Sequence, residues 1–245
     1  MKRLSIYFFS IAMALVPLAV MADNWFVGVG GGVDAPGLEN TQNNLLANIA
    51  VPPAPTDSYA TNNWSNSLGL FAADFGYRFT RAEWGYTSLF FEYDDVGNMA
   101  ASGVDLVQGN ASFSSNYSYN IARQAFLVGS KVNFLQQKKF SPFVEVGVGL
   151  SENTFSNYNE SSSFNLMTYP NQTNDEFAYI LGAGVDYTVM KNWMLSLGYR
   201  FGYWGDVASG NLSTDGVGAT LPAPVHLTNR IYSSEGIAKV SYLFG

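Results

Sequence analysis

The chain of 245 residues has no cysteine, which excludes a disulfide framework, a thiol nucleophile and a thiolate metal site. It has a single histidine, His226, too little for a His-ligated metal centre. Charged residues are scarce at 13%, and bases are scarcer than acids, 12 Lys and Arg against 19 Asp and Glu. The net charge of −7 sets nucleic acid aside as a partner, because a phosphate backbone is held by an excess of basic side chains. Long apolar runs are missing after residue 22. A spanning helix needs about 20 consecutive apolar residues, so no helical crossing is predicted beyond that point.

The one extended apolar run opens the chain. Lys2 and Arg3 precede Leu4 to Val20, interrupted by Ser10 and Pro17, and the small-residue site Val20-Met21-Ala22 follows. These are the three parts of a secretory signal peptide, with cleavage expected after Ala22. The expected plan is therefore a leader, residues 1–22, and one domain, residues 23–245. Cleavage removes two of the 12 bases and none of the 19 acids, leaving 10 against 19 and a mature net charge of −9.

Within that domain, period-two alternation predicts eight strands: Asn24 to Val33, Ser67 to Phe79, Trp84 to Asp94, Ser118 to Phe134, Ser141 to Glu152, Glu176 to Val189, Trp193 to Trp204 and Arg230 to Phe244. Short connections (80–83, 135–140, 190–192) alternate with long polar ones (34–66, 95–117, 153–175, 205–229). That rhythm predicts an all-β fold: an eight-stranded antiparallel transmembrane barrel with three short periplasmic turns and four long extracellular loops. A bilayer offers no water to backbone polar groups, so strands cross it only as a closed ring.

Parity assigns the faces. Phe71, Ala73, Phe75, Tyr77 and Phe79 form one apolar row; Phe126, Val128, Val132 and Phe134, then Val144, Val146, Val148 and Leu150, then Trp193, Leu195, Leu197, Tyr199 and Phe201 form others. These rows are predicted to meet lipid. The opposite face collects five acids and five bases, Asp74, Glu92, Glu145, Asp186 and Glu235 with Arg78, Arg123, Lys131, Arg200 and Lys239, predicted as a paired network in the lumen. An Arg or Lys facing lipid at the midplane costs about 2 to 4 kcal/mol, which explains the segregation. Two aromatic girdles are expected, Trp25, Tyr77, Trp84, Phe140, Trp193, Tyr242 and Phe244 among those at the turn end, and Tyr93, Tyr119, Tyr179, Tyr203 and Tyr232 at the loop end.

The opening Asn24-Trp25-Phe26-Val27-Gly28-Val29-Gly30, the turn and loop rhythm and the aromatic close Val240-Ser241-Tyr242-Leu243-Phe244 resemble the small eight-stranded outer-membrane barrels, the OmpA transmembrane domain, OmpX and the opacity-type surface antigens. The resemblance implies a bacterial outer membrane, contact with its lipid and lipopolysaccharide, insertion by the barrel-assembly machinery, and a monomer. Gly245 follows Phe244, and Lys239 stands where the assembly signal of such barrels often has glycine.

For function, the sequence points first to the loops. They hold Asp34, Glu39, Asp57, Asp95, Asp105, Glu160, Asp175, Asp206 and Asp215 and no Lys or Arg, while Arg81, Lys138, Lys139 and Lys191 lie in the turns. An acidic crown on a rigid scaffold suits adhesion or surface-antigen type binding to a host-cell or matrix ligand, and disfavours polyanions. Leu45, Leu46, Ile49 and Val51 form an apolar loop patch, read as a short helix on the rim and a candidate contact. The lumen charges offer an alternative, a narrow gated ion channel. Some barrels of this kind modify lipid A; His226 near Thr228, with Glu235, is a faint echo of such a site but brings no nucleophile and base together. No segment has EF-hand spacing, and neither cofactor nor metal is predicted.

Overall fold

The computed structural model describes residues 24–40, 43–46, 56–79, 85–106, 114–134, 139–161, 169–214, 220–225 and 227–244. They form twelve strands and no helix: β1 (Trp25–Asn40), β2 (Asn43–Leu46), β3 (Thr56–Trp64), β4 (Leu68–Arg78), β5 (Gly85–Leu106), β6 (Ser114–Phe134), β7 (Phe140–Ser161), β8 (Gln172–Met190), β9 (Trp193–Ala208), β10 (Leu212–Thr214), β11 (Thr220–Val225) and β12 (Thr228–Leu243). Eight of these close a ring in the order β1, β4, β5, β6, β7, β8, β9, β12, every neighbour antiparallel. Closure is made by β12 against β1, from Phe26 opposite Leu243 to Asn40 opposite Asn229. The remaining strands belong to the long-loop end, where β3 pairs with the far part of β5, β2 pairs with β3, and β10 pairs with β11.

The predicted parity is the observed one. Phe71, Val144, Val146, Val148, Leu150, Leu195, Leu197 and Tyr199 are exposed on the outer wall, and Leu70, Ala72, Leu127 and Ile180 are buried inside it. On β7 the exposed apolar row runs from Phe140 to Leu150, about the length that crosses a bilayer. The signal peptide expected at 1–22, Trp84, His226 and the loop residues Ile49 and Val51 lie outside the described residues.

The strands are longer than the sequence reading allowed, and the excess is at the long-loop end. β5 continues from Asp94 to Leu106, β7 from Glu152 to Ser161, and β1 from Val33 to Asn40. Much of the expected loop is therefore ladder: Val104 opposes Asn116, and Tyr117 opposes Glu160. These extensions escaped a period-two search because their polarity is inverted. Beyond the apolar belt the outer face is mainly polar and the inner face mainly apolar, with Tyr59, Met99, Tyr117, Ile121, Phe155, Val207 and Ile231 packed in one buried cluster. Extra residues also break the period. β5 gains one between Val96 and Met99, β7 gains one beside Asn157 (φ 55°), and β9 gains one beside Gly205 (φ 75°). Such bulges collect at barrel rims, where they re-aim the side chains beyond them.

Two further expectations are corrected. Residues 43–46, with Leu45 and Leu46, form strand β2 rather than a helix, because Leu45 pairs with Asp57 and Leu46 with Thr56. Tyr119, expected in the outer girdle, is inside, its ring stacked 4.7 Å from Phe155. Tyr179, Tyr203 and Tyr232 do form an outward stack, at 5.2 and 5.3 Å between centroids.

The belt yields a direct test. Val148→Arg, in the middle of the β7 apolar row, is expected to destabilise the refolded barrel by about 2 to 4 kcal/mol. Asn159→Arg on the same strand above the belt is expected to stay within about 0.5 kcal/mol. Urea unfolding in lipid vesicles measures both, and equal losses would refute the assigned faces.

Candidate functional site

Inside the ring, the bilayer-level lumen is filled by charge. Arg200, wholly buried on β9, spends all three guanidinium nitrogens on carboxylates: Nη1 on Glu92, Nη2 on Asp94 at 2.6 Å and Nε on Glu235. Arg123 reaches Glu235 at 2.8 Å and Asp34 at 3.2 Å, and lies 3.9 Å over the ring of Trp204. Lys239 joins Asp74, at 3.1 Å, to Glu92. Ser233 donates to Glu235 at 2.8 Å and accepts from Trp204 Nε1 at 2.6 Å. This belt spans β1, β4, β5, β6, β9 and β12, so one network ties most of the wall together.

Nearer the turns a second group centres on Asp186, which accepts from Lys131 at 2.8 Å, Asn133 at 2.7 Å, Ser196 at 2.6 Å and Tyr86 at 3.3 Å. A cavity of about 30 Å³ lies between this group and the belt. Glu145 lines it, opposite Lys131 in register, and Gly182 on the next strand is what admits it: a Cβ there would sit 2.8 Å from the Glu145 carboxylate. Arg78 stands at the turn-side mouth with its guanidinium 4.0 Å over Tyr86.

All ten lumen residues expected from the sequence point into the ring, and all but Arg78 and Glu145 make an ion pair there. Two members were missed. Asp34 was read as loop, yet β1 carries it inward to Arg123, and Asp94 shares the face of Glu92 and reaches Arg200. The i+2 spacing from Glu92 was the available signal for Asp94; Asp34 had only the Gly30-Gly31-Gly32 run before it. With them the lumen holds seven acids, Asp34, Asp74, Glu92, Asp94, Glu145, Asp186 and Glu235, for five bases.

The acidic crown also needs correction. Asp34, Asp105 and Glu160 are 1%, 2% and 5% exposed, so they are interior groups rather than solvated loop charges. Above the membrane the interior is closed by four tyrosines in a circuit, with centroids 5.4 Å (Tyr59 to Tyr117), 6.1 Å (Tyr117 to Tyr158), 4.9 Å (Tyr158 to Tyr169) and 6.0 Å (Tyr169 to Tyr59). Tyr158 donates to Glu160 at 3.1 Å, Thr61 bonds Tyr117 at 2.9 Å, and Asn229 donates to Tyr119 at 2.7 Å. Burial pushes the Tyr117 hydroxyl up to about 12 and raises Tyr59 and Tyr158 above the usual phenol range. On the outside, Arg230 bridges Glu39 and Asp206 at 3.5 and 3.2 Å, a solvated contact.

The loop candidates Leu45 and Leu46 are placed only by their backbone in β2, and Ile49 and Val51 lie outside the described residues. The lipid A alternative relied on His226, also outside them, and on Glu235, which is committed to Arg123 and Arg200.

The family model of the outer membrane protein beta-barrel domain matches residues 8–222. No curated protein matches the sequence. Among solved structures, the chain is similar to the outer membrane protein OprG from Pseudomonas aeruginosa, at 11% identity and TM-score 0.51, covering 89% of this chain and 96% of that one. It is similar to the outer membrane protease OmpT from Escherichia coli at 9% identity and TM-score 0.51, covering 91% and 98%. Neisserial surface protein A aligns at 14% identity and TM-score 0.46, covering 90% and 97%. At these identities the likeness establishes the fold alone.

Two outcomes follow from the geometry. Arg200→Met strips three buried carboxylates of one partner and is expected to cost about 3 to 5 kcal/mol, read by urea unfolding of the refolded barrel. For Tyr117 the folded pKa, about 12, exceeds the ordinary 10.0, so folding favours the neutral phenol. Its contribution is complete below about pH 10 and lost as pH rises through about 12. A phenolate absorbance titration of the folded chain is expected to show this group ionising late, and Tyr117→Phe to remove that component.

Proposed function

The chain belongs to the outer membrane protein beta-barrel domain family, and on that premise we propose that it serves at the cell surface as a rigid platform whose outer loops bind a host-cell or matrix ligand. The observation that carries this reading is the extended rim. The barrel stays paired well beyond the apolar belt, to Leu106 on β5, Ser114 on β6 and Ser161 on β7, and its interior there is packed with buried aromatic rings. A scaffold of that kind holds its loops at fixed spacing above the lipopolysaccharide layer and loses little entropy when they engage a partner. Segments 34–66, 95–117, 153–175 and 205–229 carry no Lys or Arg, so the ligand is neutral or basic rather than a polyanion. Insertion by the barrel-assembly machinery, a monomeric state and passive support of the membrane complete the reading.

The filled lumen supports placing the activity outside. Arg200, Glu235 and Trp204 are wholly buried across its middle, where a conducting path has to run. Adhesion of cells displaying the protein tests the proposal against a variant in which residues 47–55, 107–113, 162–168 and 215–219 are each replaced by a two-residue Asn-Gly turn. Binding to host cells or matrix is expected to fall to background while the barrel keeps its heat-resistant folded band. Undiminished adhesion by a folded, loop-shortened barrel would sink the proposal.

A further inference from the structure

The bases of this chain divide by place. Arg123, Lys131, Arg200, Arg230 and Lys239 each meet a carboxylate, whereas Arg78, Lys139 and Lys191 meet none among the described residues, and these three stand at the turn end. Arg78 turns into the lumen over Tyr86. Lys139 and Lys191 are exposed. Their turns, 135–140 and 190–192, are neighbours on the ring because β7 pairs with β8: Phe140 opposes Tyr187, and the Thr188 amide donates to the Lys139 carbonyl at 2.8 Å. Neither turn contains an acid, and Lys138 adds a third base to the first of them.

What lies beside this charge selects its partner. Lys139 Nζ is 5.9 Å over the ring of Tyr187, which packs 4.9 Å from exposed Phe140, and Met190 and Trp193 are exposed on either side of Lys191. The ammonium groups thus sit at the turn-side aromatic girdle, where a lysine stem covers apolar surface and its head stays in water. A phospholipid brings a phosphate and acyl chains together at this depth, and a free anion brings the phosphate alone. A zwitterionic headgroup offsets its phosphate with its own cation; an anionic one leaves the negative charge for the protein. We propose that the turn end of β7, β8 and β9 binds anionic phospholipid of the periplasmic leaflet, with the headgroup at Lys139 and Lys191 and the chains along Phe140, Val189 and Trp193. The long connections carry no Lys or Arg, and Arg230 is held by Glu39 and Asp206, so the preference is confined to the turn-side leaflet.

The test uses the full mature barrel refolded in phosphatidylcholine vesicles that carry a trace of spin-labelled phosphatidylglycerol or spin-labelled phosphatidylcholine. The motionally restricted part of the electron spin resonance spectrum gives the relative association of the two lipids. One lysine at a membrane surface enriches a singly charged lipid about fivefold, which averaged over the whole lipid shell leaves phosphatidylglycerol associating about twofold more strongly than phosphatidylcholine at low salt. Replacing all three lysines (Lys138→Gln, Lys139→Gln, Lys191→Gln) is expected to abolish the preference, and Lys138→Arg, Lys139→Arg and Lys191→Arg together to retain it. Equal association of the two lipids with the wild-type barrel would overturn the proposal without recourse to any variant, as would a preference that survives in the folded glutamine variant. Loss of the preference on adding inorganic phosphate at constant ionic strength would overturn it too, by assigning these lysines to a free anion.

Discussion

Every backbone amide and carbonyl that meets lipid has to be bonded within the chain, and the rest of this structure follows from that constraint. The β1 to β12 ladder meets it by removing the last free edge, and with eight strands it also fixes the bore. A ring this narrow leaves room for side chains and little else. Because alternate residues must face outward into lipid, the intervening ones are the only places where charge is tolerated. Once enclosed, those charges must compensate one another, since a buried carboxylate without a partner costs far more than an exposed one. Arg200, with three carboxylates on one guanidinium, is the result at the centre of the bore.

The same constraint ends where the bilayer ends, and the barrel changes character there. Below the boundary the wall is apolar outside and ionic inside; above it the wall is polar outside and encloses an aromatic cluster of the kind found in a water-soluble core. The bulges in β5 and β9 fall near this transition and that in β7 further out, beside Asn157, and each shifts the alternation by one residue. Gly205 shows the effect: Trp204 points inward under Arg123, while Asp206, two residues on, points outward to Arg230. A strict period-two strand with Trp204 inward would have turned Asp206 into the apolar interior.

This inversion also explains what was legible in the sequence. The eight crossings, their order and their faces could be read because lipid imposes one outward polarity, and the rows from Phe71, Val144 and Leu195 carry it without interruption. The ten lumen charges were legible for the same reason. The extensions were hidden because Tyr117, Tyr119 and Phe155 keep alternating while the meaning of the alternation reverses, and because the bulges interrupt the count. Asp34, Asp105 and Glu160 looked like solvated loop acids, since nothing local distinguishes a carboxylate on a free loop from one turned inward by a ladder partner far along the chain. Asp34 is buried by Arg123, 89 residues away, and Glu160 by the Ser115 and Tyr158 hydroxyls.

A filled lumen and a tall rim are two aspects of one mechanical arrangement. From Asp95 to Leu106, β5 adds 11 residue steps beyond the belt, roughly 35 Å of strand at the usual rise. A paired extension of that length stays upright only if its inner face is packed, which is what Tyr59, Tyr117, Phe155 and Tyr169 provide. Packing the tip in turn closes the bore from above, as Arg200 and Glu235 close it at bilayer level. Opening a wide aqueous path would therefore mean dismantling the support of the rim as well as the charge belt. Stiffness at the surface and free passage through the centre compete for the same interior volume, and the side chains that fill this barrel settle the competition in favour of stiffness.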